Sequence, residues 1–143
     1  MTKLSSKMWS LLENLFPICR SITGNGVRKS LNIIKEIIPL KICEIPSGAK
    51  VFDWVIPDEW NIQDAYVKNE AGERIIDFKK SNLHIVNYSI PFEGKLSLKE
   101  LQEHLYSIPD KPDLIPYITS YYERKWGFCL TQSQRNNLVD GEY

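Results

Sequence analysis

The chain has 143 residues, 43% of them hydrophobic and 11% aromatic, so it can bury a core and is not a disordered segment. Eighteen basic and eighteen acidic residues cancel, which removes the field that gathers phosphate backbones and argues against nucleic acid as a partner. No apolar run approaches the roughly 18 residues that cross a bilayer, and no secretory h-region follows the first six residues, so a cytoplasmic protein without membrane partners is expected.

The first element predicted is a helix. Met8, Leu11, Leu12, Leu15 and Phe16 mark one apolar face behind a Ser5-Ser6 cap, and Pro17 closes it. A second helix starts near Asn25, where Val27, Leu31, Ile34 and Ile38 recur at spacings of four, three and four until Pro39. Between the two lies the stretch from Arg20 to Arg28, in which two arginines bracket Gly24 and Gly26. Glycines so placed suit positive φ or close backbone approach, and the arginines could hold a carboxylate or a run of carbonyls.

From residue 40 the period changes to two, and residues 40–45 read as a strand ended by Pro46-Ser47-Gly48. A boundary is expected there, dividing the chain into 1–46 and 47–143. Residues 51–56 read as a further strand, and 65–68 with 74–78 as a hairpin across the loop 69–72. Residues 83–90 are apolar on both faces, as in a central strand. Ser97 and Glu100 form a capping box that opens a helix with Leu98, Leu101 and Leu105 facing inward. Residues 110–116 form an extended, proline-bearing loop that leads to 117–122. Trp126, Phe128 and Leu130 alternate on a last strand, and Thr131 caps a short helix reaching Leu138. The last four residues read as a turn leading into an absent strand.

Side chains that run chemistry are scarce. His84, in a strand pattern, is expected to be a semi-buried histidine bonded to backbone, and His104 a solvated helix flank. Cys19, Cys43 and Cys129 are odd in number, far apart and never in a C-x-x-C pair, which fits small buried hydrophobes better than disulfides or a zinc knuckle. A Cys-His nucleophile pair would need Cys19 or Cys129 beside His84 in space. Asp53, Asp58 and Glu59 surround Pro57 and could serve acid/base work or simply face water. The Gly24-x-Gly26 pair opens a helix that could cradle an anion, yet it lacks the third glycine and preceding strand of a dinucleotide fingerprint. Trp54 is expected in the core. Tyr121, Tyr122 and Trp126, next to charged residues 123–125, could line a groove for a sugar or peptide.

Three blocks together resemble a known group: residues 16–26, residues 46–54, and the run from Ser120-Tyr121-Tyr122 to Trp126-Gly127-Phe128-Cys129. They are similar to the N-terminal part of the bacterial aminopeptidase-like proteins, relatives of the co-catalytic zinc aminopeptidases often encoded near polysaccharide-biosynthesis genes. Residues 81–91 resemble that family's inserted β-domain. The resemblance implies an α+β chain: two helices and a strand of an incomplete α/β peptidase domain over 1–46, then an inserted, compact, antiparallel β-rich lobe over 47–143 with short helices.

A typical member is about three times this length, beyond the usual single-domain size, with its metal ligands and glutamate base further along. The resemblance therefore assigns no metal ligand and no catalytic residue here. It makes Arg20 and Gly24, which match an Arg-x-x-x-Gly element, structural or cleft-flanking, a role expected also of the neighbouring Gly26 and Arg28, and it makes Tyr121, Tyr122 and Trp126 part of a lobe that shapes access to a metal cleft. It implies zinc for the full-length family and a peptide or related amide as substrate. Partners could be a second copy or a separate chain that completes the sheet. A non-catalytic carbohydrate- or peptide-binding module is the alternative reading.

Overall fold

The computed structural model describes residues 3–143. The chain is α+β and divides into two compact units, the first ending at Asn61 and the second running Ile62–Tyr143.

The first unit opens with helix α1 (Lys3–Leu15). Ser5 and Ser6 lie within it rather than capping it. The expected Pro17 stop holds, with Phe16 N–H still bonded to Leu12 O at 2.8 Å. Helix α2 (Asn25–Lys35) begins where the sequence places it, behind Gly24. Its end unwinds through Ile37 and Ile38, whose amides both reach Ile34 O, before Pro39.

Two expected strands of this unit differ in the structure. Residues 40–45 join no ladder among the described residues, although Leu40 and Ile42 are half-buried and Lys41 and Cys43 exposed, in keeping with a period of two. Alternation predicts which side is apolar, but a strand also needs an edge to pair with. Residues 51–56 are not one strand. They reverse at Phe52-Asp53, so that β1 (Lys50–Val51) pairs antiparallel with β2 (Trp54–Val55). Gly48 and Ile56 close the hairpin's open end at 2.8 Å, and Trp54 stands 40% exposed instead of in the core.

The second unit holds the core. Strands β3 (Tyr66–Lys68) and β4 (Arg74–Asp77) form the expected hairpin, with a register shift after Val67. Gly72 takes φ 80° in the connecting loop, a value that suits glycine, and Asn69 braces the loop through Glu73 N–H at 2.9 Å. Arg74 bridges Asp64 at 3.0 Å, Lys79 does the same at 3.0 Å, and both cations hold the Asp64 carboxyl below its ordinary range.

Residues 83–90 are central but not a strand. Ser81 Oγ accepts from Leu83 N–H and starts a 3₁₀ turn at Asn82–His84, and Tyr88 adopts φ 67°, so only Ile85 and Asn87 make single bridges, to Phe128 and Thr119. Local hydroxyl bonding has displaced a ladder without exposing the segment: residues 84–87 are all buried.

Helix α3 (Leu98–Gln102) has the full capping box, Ser97 N–H to Glu100 Oε2 at 2.9 Å and Glu100 N–H to Ser97 Oγ at 3.4 Å. It is shorter than the leucine spacing suggests, because Leu105 leaves it for β5 (Leu105–Tyr106), which pairs parallel with β6 (Phe128–Cys129). Leu105 is buried as expected, but as a strand residue. Thr131 caps α4 (Gln132–Asn136), with Gln134 completing a second capping box. The last residues are paired: Leu96 and Tyr143 exchange backbone bonds of 3.0 and 2.9 Å, and Glu142 bridges Ser97.

Candidate functional site

Two groups of predicted residues form coherent arrangements, one in each unit. In the first unit, Gly24 is buried with φ 102°, and a Cβ there would meet Trp60 O and Asn61 Oδ1. A Cβ on Gly26 would collide with the backbone carbonyl of Cys19. Both glycines are therefore fixed by close approach of backbone to backbone. The α2 N-terminus does not present an open anion cradle, because Asn61 Oδ1 accepts from Asn25 N–H at 2.7 Å. Ser30, buried one turn on, returns its hydroxyl to Gly26 O at 2.9 Å.

The arginines are committed too. Arg28 makes a two-pronged pair with Glu59, bonds Glu44 from Nε at 3.1 Å, and reaches Asn25 Oδ1 at 3.2 Å. Its planar fork ties α2, residue 44 and the segment before Asn61 in one geometry. The guanidinium lowers the Glu59 carboxyl from its ordinary value, so Glu59 acts as an ion-pair partner and not as a poised acid. Arg20 stands apart from this cluster and donates to Leu15 O at 2.7 Å, a carbonyl at the end of α1 that Ile18 N–H also reaches at 3.2 Å. The signal for this clasp was legible at the arginines and glycines; Glu44 and Asn61 carried none, being single polar residues whose role depends on distant partners.

In the second unit, Tyr121 and Tyr122 meet edge to face at 4.6 Å, and Tyr121 meets Tyr88 likewise at 4.8 Å. Burial, then the neighbouring tyrosines, push the Tyr121 hydroxyl up from its ordinary value. Tyr122 is 77% exposed. Trp126 belongs to a different stack: Phe92 covers one face at 4.2 Å and His104 lies stacked at 3.7 Å, both nearly parallel to the indole. His104 also faces Trp126 O at 3.2 Å, so it is a packing residue and not the solvated flank expected. Of the three candidate aromatics, Tyr122 has the most exposed ring, and Phe92 and Tyr88 are the neighbours the sequence did not single out.

His84 is buried and its Nδ1 donates to Cys129 O at 2.7 Å, as a backbone-bonded histidine should. The Cys129 thiol is pushed up to about 11, chiefly by burial, and the histidine bonds its carbonyl instead of its sulfur, so no activated nucleophile pair results. Cys19 is half-buried and Cys43 exposed, which corrects the expectation that all three cysteines are buried. Among the described residues no group of three or more His, Cys, Asp or Glu is placed to hold a metal ion. The described residues therefore do not fit a zinc site. No described helix is long and apolar enough to cross a membrane.

These observations can be set beside known proteins. The chain is 54% identical over 142 residues to a protein of Clostridium acetobutylicum whose name assigns it to polysaccharide biosynthesis, with an aminopeptidase-like domain. A crystal structure from the same organism, named as that of a peptidase by assignment only, superposes with a TM-score of 0.95 at 54% identity. Each match covers 99% of this chain and 33% of the relative, so the chain spans about one third of the relatives' length. Residues 59–143, more than half of the chain, match the model described as a domain of unknown function, DUF2172, and the chain belongs to that family.

Proposed function

We propose that this chain is the front portion of a zinc aminopeptidase-like hydrolase, supplying scaffold and access to a metal cleft whose ligands lie elsewhere. The observation that carries the reading is the extent of the relationship: 54% identity along nearly the entire chain to one third of an aminopeptidase-like protein. The disposition of potential ligands supports it. Both histidines are engaged in packing, and Glu59, Asp64 and Glu123 are in ion pairs with basic neighbours. A bridging water activated by two zinc ions needs several converging imidazoles and carboxylates. In this reading the substrate is a peptide or related amide, the clasp around Arg28 ties α2 to residues 44 and 59, and the protein works in the cytoplasm.

Hydrolysis of a leucine anilide tests it. The chain alone should give no chelator-sensitive turnover, whereas the chain joined to the remaining two thirds of the Clostridium relative should give turnover that a chelator abolishes and zinc restores. Chelator-sensitive turnover by the 143-residue chain, or none by the joined protein, would overturn the reading. A second reading, a carbohydrate- or peptide-binding module, is favoured by the exposed Tyr122 ring beside Tyr121. Saturable heat on titration with an oligosaccharide, lost in Tyr122→Ala, would support it.

A further inference from the structure

The arginines that this chain holds through several contacts are of two kinds. Arg28 and Arg74 are held by carboxylates, Glu44 and Glu59 for the first, Asp64 and Asp77 for the second. Arg135, on α4 in the second unit, is held by uncharged groups alone. Its Nε donates to Gln102 Oε1 at 2.6 Å, Nη2 to Gln102 O at 3.0 Å and Nη1 to Ser107 Oγ at 3.3 Å. Among the described residues no carboxylate pairs with it. Asp113, a carboxylate that does touch α4, accepts from Ser133 at 3.3 Å instead.

A guanidinium carries five N–H donors in one plane and no acceptor. Three are engaged here, which leaves one on Nη1 and one on Nη2. Neutral acceptors fix the plane without cancelling the charge, whereas a carboxylate would do both. The acceptors are themselves oriented by further bonds. Ser107 gives its hydroxyl proton to Gln132 Oε1 at 2.7 Å, so its oxygen presents lone pairs to Arg135, and Gln132 Nε2 donates in turn to Asn136 Oδ1 at 2.7 Å. Gln102 closes α3, Ser107 follows β5, and Gln132 and Asn136 lie on α4. One bond serves the fold, since Gln102 O is a carbonyl at the C-terminal end of α3 that needs a donor. A lysine could supply that bond; the planar fork and its bracing go beyond it.

We propose that Arg135 is a binding site for an oxyanion, a carboxylate or a phosphate group, which takes the remaining N–H donors on Nη1 and Nη2. The class of ligand follows from the donors: two N–H groups and an uncompensated positive charge select an anion over a neutral sugar. The side chain is ordered before the ligand arrives, so that part of the cost of binding is already met. The inference stands apart from the peptidase reading, which uses no residue of this cluster.

Titration of the 143-residue chain, with its arginine side chains isotopically labelled for magnetic resonance, tests the site. Sodium acetate serves as the carboxylate and inorganic phosphate as the phosphate, at constant ionic strength. The Arg135 Nε–H signal should move saturably with at least one of them, and the anion that saturates names the chemistry of the ligand. Arg135→Lys keeps the charge but loses the fork, and should weaken that binding by about 10-fold or more. Arg124→Gln, at an exposed arginine, should leave it unchanged. A shift that stays linear with both anions sinks the proposal, as does unchanged affinity in a natively folded Arg135→Lys chain. Phenylglyoxal mapping gives an arm that needs no variant. The saturating anion should slow modification of Arg135 several-fold and spare Arg124 that effect; equal protection of the two arginines, or none, counts against the site.

Discussion

The two units of this chain are held together by different physics. The second buries nine hydrophobic side chains, with Val86, Cys129 and Leu130 fully inaccessible, around the parallel pair β5–β6 and the segment 84–87. The first buries only Gly24 and Ser30 among its described residues, and its order comes from backbone contact at two glycines and from the Arg28 ion pairs. One unit has the interior of a small domain; the other has joints and clasps with no interior. Polar clasps fix geometry, but exposed ion pairs contribute little stability, so the contrast teaches that a well-defined conformation and a self-sufficient core are separate properties.

The comparison can be broken or sharpened in three ways. The largest effect should come from Leu130→Ala, which empties a fully buried site and should lower the stability of the second unit by about 2–5 kcal/mol in a denaturant titration. A loss below 1 kcal/mol would mean that the second unit lacks a tightly packed core. Next is Gly26→Ala, whose new methyl group would meet the Cys19 carbonyl. It should cost about 1–3 kcal/mol of protection at the α2 amides in hydrogen exchange and leave amides of β5 and β6 unchanged. Equal loss in both units would show that they unfold together.

The smallest effect concerns pH. Burial raises the Cys129 thiol from 9.0 to about 11, so the folded state retains a proton that the unfolded state has lost between those values. Stability of the second unit should therefore be unaffected below pH 9 and fall as pH rises from about 9 to 11, a trend that Cys129→Ala should flatten. In the first unit the sign is opposite and the range acidic. Arg28 depresses the Glu59 carboxyl, so the clasp contributes above the ordinary carboxyl pKa of 4.5 and is lost as pH falls through the depressed value.

Much of the fold was legible where local chemistry is self-contained. The Ser97/Glu100 capping box, the Asn69–Gly72 hairpin loop and the proline stops are decided by groups within a few residues of one another. What misled was periodicity read without partners. Residues 83–90 have a strand's alternation but are bent by Ser81 and Tyr88, residues 51–56 fold back on themselves, and Leu105 fits a helical stripe while serving a strand. The candidate sites show the same division. Glycine and arginine spacing announced the joint, but that Arg28 is satisfied by Glu44 and Glu59, or that Phe92 and His104 stack on Trp126, depends on residues brought from far along the chain.

The sequence by itself determined the capping boxes, the β3–β4 turn and the mixed α and β character, because each follows from residue type and short-range geometry. Only the tertiary structure decided which apolar residues have an interior to enter and which polar groups are already spoken for. Burial and pairing are relations between distant parts of the chain, and a pattern of side chains states a preference for such relations without supplying the partner.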